Sequence, residues 1–426
     1  MVSKYLCGLD FGTSNSVICA IPQTPGEPPV VISEPTVLFF PERKTSEKFV
    51  YYVGKDAVSA YLASGMRGRF IQSIKSILHD PDFDMTMIFG VPFTPVELVS
   101  LIITNLKQKM EETLGTTIDT VVMGRPVMFS SVPEEDALAQ QRIEYAAMTC
   151  GFKSISFQLE PIGAAFAYEA QLKKQQTVLV VDLGGGTTDF TIMNLDPSYN
   201  AQRGRKQDIL AIGGVHIGGD DFDSRIMWNR LIDQFGYGSQ YSEMGKLYDF
   251  PIHFFTTLCT WHEIAKLKEH PFKEDLRIIY RASTNKPAVE KLKALIEHDL
   301  GFALYKSIEK AKMDFSDHDD STILFKSEHL TVDAPVCREA FEEYISEDVL
   351  EIDQALSDTL AQADLEPSQI DSVLMTGGSS LVRAIQAVVV ARFGEEKLIK
   401  DANRFTSVAV GLALGAGMTK NVSQSS

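Results

Sequence analysis

One stretch constrains this chain more than any other: Val178-Leu-Val-Val-Asp-Leu-Gly-Gly-Gly-Thr-Thr-Asp-Phe-Thr191. Val178 to Val181 form an apolar run suited to a buried strand. Asp182 ends that run, and a second strand begins near Thr188. Between them, Gly184, Gly185 and Gly186 free the backbone for positive φ and for close approach to a ligand. Consecutive N–H groups in such a turn form an anion-binding nest. A carboxylate at the strand end cannot face a phosphate alone, and Mg²⁺ between them resolves the conflict. The competing reading is a tight hairpin without a ligand, for which one glycine usually suffices.

The same grammar appears about 170 residues earlier, in Tyr5-Leu-Cys-Gly-Leu-Asp-Phe-Gly-Thr-Ser-Asn-Ser-Val17. An apolar strand leads to Asp10, then Gly12, Thr13, Ser14 and Asn15, then apolar residues resume. Two copies imply two similar α/β lobes, each offering a hairpin to a shared cleft. A third glycine pair, in Val373-Leu-Met-Thr-Gly-Gly-Ser-Ser380, again follows an apolar strand.

The 426 residues suffice for two or more domains. A net charge of −17 argues against a nucleic-acid partner, which needs clustered Lys and Arg. No apolar run reaches the ~18 residues of a membrane span. The five scattered cysteines form no C-x-x-C pair and fit a reducing, cytoplasmic compartment. The N-terminus reads as lacking a signal peptide, because Asp10 interrupts its apolar run.

Several elements are legible locally. Residues 21–35 are proline-containing and read as a crossing between elements. Val37–Phe40 and Phe49–Val53 read as short strands, and 56–63 as a helix. Thr94-Pro-Val-Glu97 has the form of a capping box with proline in the first turn, opening a helix to about Leu114. Lys75 lies among Ile71, Ile74, Ile77 and Leu78, and spacing alone makes it a solvated helix lysine. Pro126 ends a strand and suits a hinge or a plain terminator. Glu160 precedes a small-residue helix over 162–170. Gly218 and Gly219 open a helix toward Phe235, followed by Asp220, and a glycine turn at a helix start can hold a phosphate. Residues 237–300 show mostly helical patterns, with His253, His262, His270 and His298 read as structural or solvated. Glu309, Lys312 and Ser316 share one helix face, which by itself describes an exposed ion pair. Asp333-Ala-Pro335 reads as the start of a long helix to about Ala363. A last helix covers 406–418, and the tail beyond Thr419 reads as frayed.

Taken in order, Asp-x-Gly-Thr-Ser-Asn-Ser, Asp-Leu-Gly-Gly-Gly-Thr-x-Asp, Gly-Gly-Asp-Asp-Phe-Asp and Gly-Gly-Ser-Ser resemble the DnaK-type 70-kilodalton heat-shock chaperones. More broadly they resemble the actin/sugar-kinase/heat-shock ATPase superfamily, and the stand-alone YegD-like proteins within it. The resemblance implies a two-lobed α/β fold, each lobe a ribonuclease-H-like mixed sheet with helices and an inserted subdomain. Lobe I would span 1–177 (core 1–36 and 115–177, insert 37–114), completed by a helix over 405–426. Lobe II would span 178–404 (core 178–225 and 321–404, insert 226–320). It further implies slow hydrolysis of ATP, with ATP/ADP, Mg²⁺ and K⁺ in the cleft and lobe closure reporting to a protein partner of unspecified identity.

By the same resemblance, Gly12, Thr13, Ser14, Asn15, Gly184, Gly185, Gly186 and Thr187 hold phosphates. Gly218, Gly219 and Asp220 belong to the nucleotide site. Asp10 and Asp182 hold Mg²⁺ through water. Lys75 stabilises the transferring phosphoryl group and Glu160 positions the attacking water. Thr187 lies near the γ-phosphate. Glu309, Lys312 and Ser316 hold ribose and adenine, and Gly377, Gly378 and Ser379 lie beneath the nucleoside. Met313 and Leu381 replace two arginines of the family pattern, which would weaken stacking on the base by about 1 kcal/mol. The chain also stops where the family's ATPase module stops, so a peptide-binding domain is not expected. The alternatives on the same fold are a small-molecule kinase, for which no sugar-kinase signature is present, and an actin-like filament protein.

Overall fold

The computed structural model describes residues 4–24, 26–43, 48–197, 208–268, 270–399 and 406–420. The end of the tail read as frayed, from 421 on, lies outside them. Two five-stranded sheets form the framework, and their topologies match strand for strand. In the first, Tyr5–Phe11 pairs antiparallel with Asn15–Pro22, which pairs antiparallel with Val30–Pro35. On its other edge Tyr5–Phe11 runs parallel to Thr120–Arg125, and that strand parallel to Ser154–Leu159. In the second, Gln176–Leu183 pairs antiparallel with Thr188–Leu195, and that strand with Ile209–Val215. Gln176–Leu183 also runs parallel to Ser372–Thr376, which runs parallel to Leu398–Ile399. The repeated Asp-Gly grammar thus marks the same hairpin in two copies of one α/β topology.

The parallel neighbours require crossover helices, which the helix Pro133–Thr149 and the helix Arg383–Phe393 supply. Between the first hairpin and the strand Thr120–Arg125 lies a small three-stranded sheet, ordered Tyr52–Val53, Val37–Pro41, Gly68–Gln72. The helix Pro95–Leu114 follows. Its N-terminus carries the anticipated box: Glu97 N–H donates to Thr94 Oγ1 at 3.2 Å and Thr94 N–H donates to Glu97 Oε2 at 2.8 Å. Residues 237–300 are mainly helical, with the hairpin Gln240–Glu243 and Lys246–Asp249 added.

Two of the element readings are overturned. The proline-containing crossing at 21–35 contains the edge strand Val30–Pro35. The helix expected from Asp333 begins instead at Arg338, because Thr331–Cys337 is a strand. There Val332, Ala334 and Val336 alternate inward, a period-two pattern that outweighs the helix-start appearance of Asp333-Ala-Pro335.

The helices Glu160–Glu169 and Ser407–Lys420 cross between the two sheets. Val408 and Leu412 pack with Val122 of the first sheet and with Val178, Val180 and Leu374 of the second. The crossing is close enough that a Cβ added to Gly411 would lie 1.6 Å from the Gly163 carbonyl oxygen. Each fully buried aliphatic side chain in this layer contributes about 1.5–3 kcal/mol.

Candidate functional site: the cleft between the hairpins

The two glycine turns meet across a cleft of about 1560 Å³, open solvent at its mouth included. At the contact, a Cβ on Gly185 would sit 2.8 Å from Ser14 Oγ and 3.2 Å from Thr13 Cβ. Close approach, not handedness, is therefore what requires glycine there. None of Gly184, Gly185 and Gly186 has positive φ, contrary to the sequence expectation. Positive φ belongs instead to Gly377, at +81°, where a Cβ would lie 2.2 Å from the Leu183 carbonyl oxygen. Among the described residues the main-chain amides of Thr13, Ser14, Gly185 and Gly186 make no backbone hydrogen bond. Free amides on both sides of a cleft are the donor set an anion needs.

All the residues expected at the site line this cleft except Gly186 and Gly218. Gly186 faces Ser76 instead, and Gly218 packs against the Gly185 carbonyl. The helix Gly219–Ile226 does not present its first amides to the cleft. Gly219 N–H donates to Gly184 O at 3.0 Å and Asp220 N–H donates to Gly185 O at 2.7 Å. Those bonds fasten the helix to the second glycine turn, so this helix start offers a phosphate fewer donors than its sequence suggests. Ser73 Oγ donates to Asp220 Oδ2 at 3.2 Å, joining the first inserted region to this helix.

Lys75 is buried, not solvated, and sits on the short 3₁₀ turn Ile74–Ile77. Its Nζ donates to Glu160 Oε1 at 2.7 Å. Glu160 is the first residue of its helix, and Gly124 makes room for it: a Cβ there would lie 2.9 Å from Glu160 Cγ. Around this pair stand three more carboxylates, Asp182 and Asp189 buried and Asp10 half-buried. Asp10 pairs in register with Val17, and Asp182 with Asp189. Asp189 accepts from Val127 N–H at 3.1 Å and from Thr187 Oγ1 at 3.0 Å. The first of these bonds ties the segment just after Pro126 to the second hairpin.

Burial, reinforced by the Glu160 charge and opposed by Lys75, pushes Asp10 up to about 7. Burial and Glu160 likewise push Asp189 up to about 7, against the hydrogen bonds from Thr187 and Val127. Asp182 is raised well above its ordinary value, by burial first and then by Glu160, Asp189 and Asp10. Burial alone would lower Lys75, but Glu160, Asp10 and Asp182 hold it above its ordinary value. One ammonium thus faces several carboxylates, an imbalance that a divalent cation would correct. Among the described residues no group of three or more His, Cys, Asp or Glu side chains is arranged to ligate a metal. Asp10 and Asp182, one from each hairpin, line the cleft as the carboxylates that could hold such a cation.

A stability prediction follows from these shifts. Asp10 and Asp189 hold protons in the folded state that the unfolded chain releases near its ordinary value of 3.8. Their contribution is full below that value and is lost as pH rises through about 7. Melting of the ligand-free protein should therefore shift to lower temperature from about pH 5.5 to about pH 8, with a flatter slope in Asp189→Asn. Scanning calorimetry across that range tests it, and a melting temperature that rises instead contradicts it.

The far end of the cleft is built by Gly301–Asp314 and the turn at 377–382. Lys312 Nζ donates to Gly219 O at 2.7 Å and pairs with Asp223 Oδ2 at 2.9 Å. Asp223 was not anticipated as a site residue, although it closes the Gly218-Gly-Asp-Asp-Phe-Asp223 run. Burial pushes it up to about 7 against the pull of Lys312, and its buried Oδ1 has no hydrogen-bond partner among the described residues. Glu309 pairs with Lys306, and Ser379 Oγ donates to Gly184 O at 3.1 Å. Met313 and Leu381 both line this end, Met313 being 62% exposed, so it presents an apolar and accessible surface.

The family profile described as Hsp70 protein matches residues 74–243 and 293–425 of this chain. Chaperone protein DnaK of Mycoplasmopsis agalactiae is 26% identical over 433 aligned positions, covering 98% of this chain and 58% of that protein. The proteins of the same description from Thermosipho africanus and Thermosipho melanesiensis are each 28% identical, covering 97% of this chain and 59% of theirs. The chain thus spans less than two thirds of the length of these relatives. No helix among the described residues is long and apolar enough to cross a membrane.

Proposed function

The chain belongs to the Hsp70 family, and on that premise we propose that it binds ATP and ADP in the cleft and hydrolyses ATP slowly. The observation that carries the reading is the meeting of two glycine hairpins, with free amides on both and the Lys75–Glu160 pair beside them. In this reading the amides of Thr13, Ser14 and Gly185 bind the β- and γ-phosphates. Gly12, Asn15, Gly184 and Thr187 complete that cradle. Asp10 and Asp182 hold Mg²⁺ through water, with K⁺ alongside. When bound, Mg²⁺ neutralises charge on the β- and γ-oxygens.

Lys75 sits where charge develops on the transferring group, and its raised pKa keeps it an ammonium throughout. Glu160, hydrogen-bonded to that ammonium, orients the attacking water. This is catalysis by positioning and charge stabilisation, with no covalent intermediate on the protein. Glu309, Lys312 and Ser316 face the ribose, and Gly377, Gly378 and Ser379 support the nucleoside. The lobes take the boundaries proposed from the sequence. Each lobe contributes a hairpin, so nucleotide state sets how tightly the lobes close. That closure signals to a protein partner.

Titration calorimetry with ATP and with ADP, in the presence and absence of Mg²⁺, tests the first step. Saturable binding that tightens with Mg²⁺ is the expected result. Absence of binding by either nucleotide with Mg²⁺ present would reject the proposal.

A further inference from the structure

One oxygen of Asp223 stands unpaired in the wall of the cleft. The residue is only 6% exposed, yet it lines both the cleft between the hairpins and a side cavity of about 400 Å³, open solvent included. Its Oδ2 is taken by Lys312 Nζ at 2.9 Å, while Oδ1 has no hydrogen-bond partner among the described residues. Tyr305, in the wall of the same side cavity, does not supply one, because its hydroxyl donates to the Leu258 and Cys259 carbonyl oxygens. A buried carboxylate oxygen without a donor is unfavourable, and a ligand that brings a donor removes the penalty.

The place of Asp223 along the cleft decides which part of a nucleotide arrives there. Lys312 Nζ, beside it, is bonded to Gly219 O at 2.7 Å, and Gly219 N–H is bonded in turn to Gly184 O of the second glycine turn. Beyond Lys312 on the same helix, Met313 and Ser316 line the apolar end of the cleft. Asp223 and Lys312 thus stand between the turns that suit phosphates and the apolar end that suits a base. A nucleotide carries its sugar at that point.

The polar groups select the chemistry further. An ammonium has three N–H donors, and Gly219 O and Asp223 Oδ2 occupy two of those on Lys312. Asp220 and Glu309 line the same two cavities, so a second anionic group on the ligand would be repelled. A cationic group would confront Lys312, and an apolar one would leave Oδ1 unpaired. A neutral hydroxyl meets both demands, since it donates its proton to Oδ1 and accepts the remaining Lys312 proton. We propose that Asp223 is a specificity-determining residue that reads a ribose hydroxyl, so that the cleft discriminates ribonucleotides from deoxyribonucleotides. This rests on the nucleotide reading of the cleft.

The test is titration calorimetry with ATP, 2′-deoxy-ATP and 3′-deoxy-ATP in the presence of Mg²⁺. It is run at about pH 8, above the value of about 7 to which burial raises Asp223. The analogue that lacks the contacted hydroxyl should bind about tenfold or more weakly than ATP, having lost a hydrogen bond to a charged group. In Asp223→Asn that ratio should shrink to about threefold or less, because the charge that strengthens the bond is gone. A merely structural role would weaken all three nucleotides alike and leave the ratio unchanged, which overturns the assignment to Asp223. The analogue comparison uses the unaltered chain, so it decides the matter even where the variant does not fold. ATP binding with both analogues within about twofold of it overturns this proposal alone. Absence of ATP binding overturns the nucleotide reading as well.

Discussion

Lys75→Ala should retain Mg²⁺-dependent ATP binding within a few-fold, while single-turnover hydrolysis falls by about 10²–10³. The separation follows from where the contacts lie. The free amides of the two turns do not involve Lys75, so the phosphates keep their cradle. What disappears is the one ammonium among Asp10, Glu160, Asp182 and Asp189, and with it the charge that meets the transferring phosphoryl group. The same deletion leaves Glu160 buried without its 2.7 Å partner. Removing one member of a buried pair costs roughly 3–5 kcal/mol when the other stays charged. The ligand-free variant should therefore melt well below the parent at about pH 8, and less so at about pH 6, where protonation of Asp10 and Asp189 reduces the repulsion around Glu160. Adding Glu160→Ala should restore much of that stability without restoring turnover, a coupling that a double-mutant cycle measures directly. Lys75→Arg should not rescue hydrolysis, because a planar guanidinium does not fit a site packed around an ammonium. Turnover of Lys75→Ala equal to that of the parent would refute the assigned role.

Gly411→Val should abolish cooperative folding or lower stability by more than about 4 kcal/mol. A Cβ at 411 would lie 1.6 Å from the Gly163 carbonyl oxygen and 2.5 Å from the Gly163 carbonyl carbon. Backbone meets backbone there, so no side-chain rotation relieves the clash. The helices must separate, and the layer of Val408, Leu412, Ile162 and Phe166 between the sheets opens with them. Val410→Ala, one residue away and only partly buried, should cost about 1 kcal/mol or less and serves as the control. Urea unfolding followed by circular dichroism distinguishes the two. A Gly411→Val protein within about 1 kcal/mol of the parent would show that the crossing is looser than described.

The hairpins were legible because their grammar is local: an apolar strand, a carboxylate, glycines and hydroxyl residues follow one another directly. The capping box at Thr94 and Glu97 was legible for the same reason. Lys75 was not legible from spacing, because the partner that determines its environment, Glu160, is distant in sequence and arrives through tertiary packing. Only the resemblance singled it out. Asp223 was overlooked although it stood in a motif already noted. What matters about it is its pairing with Lys312 from another helix. At Gly185 the residue was identified but the reason was not, since close approach to Ser14 cannot be inferred without the opposing hairpin. The misread strand at Thr331–Cys337 had a local signal, the alternation of Val332, Ala334 and Val336, set against a proline that also suits a helix start.

The helix Ser407–Lys420 packs on a sheet whose central strand is Tyr5–Phe11. A Cβ at Gly8 would touch Ala409 O and Ala413 N, both at 2.4 Å. The strand Tyr5–Phe11 therefore finishes its packing against a helix about 400 residues later in the chain. During synthesis at roughly 5–20 residues per second, that face of the sheet stays uncovered for tens of seconds. That sheet therefore completes its packing only once the helix Ser407–Lys420 has been made.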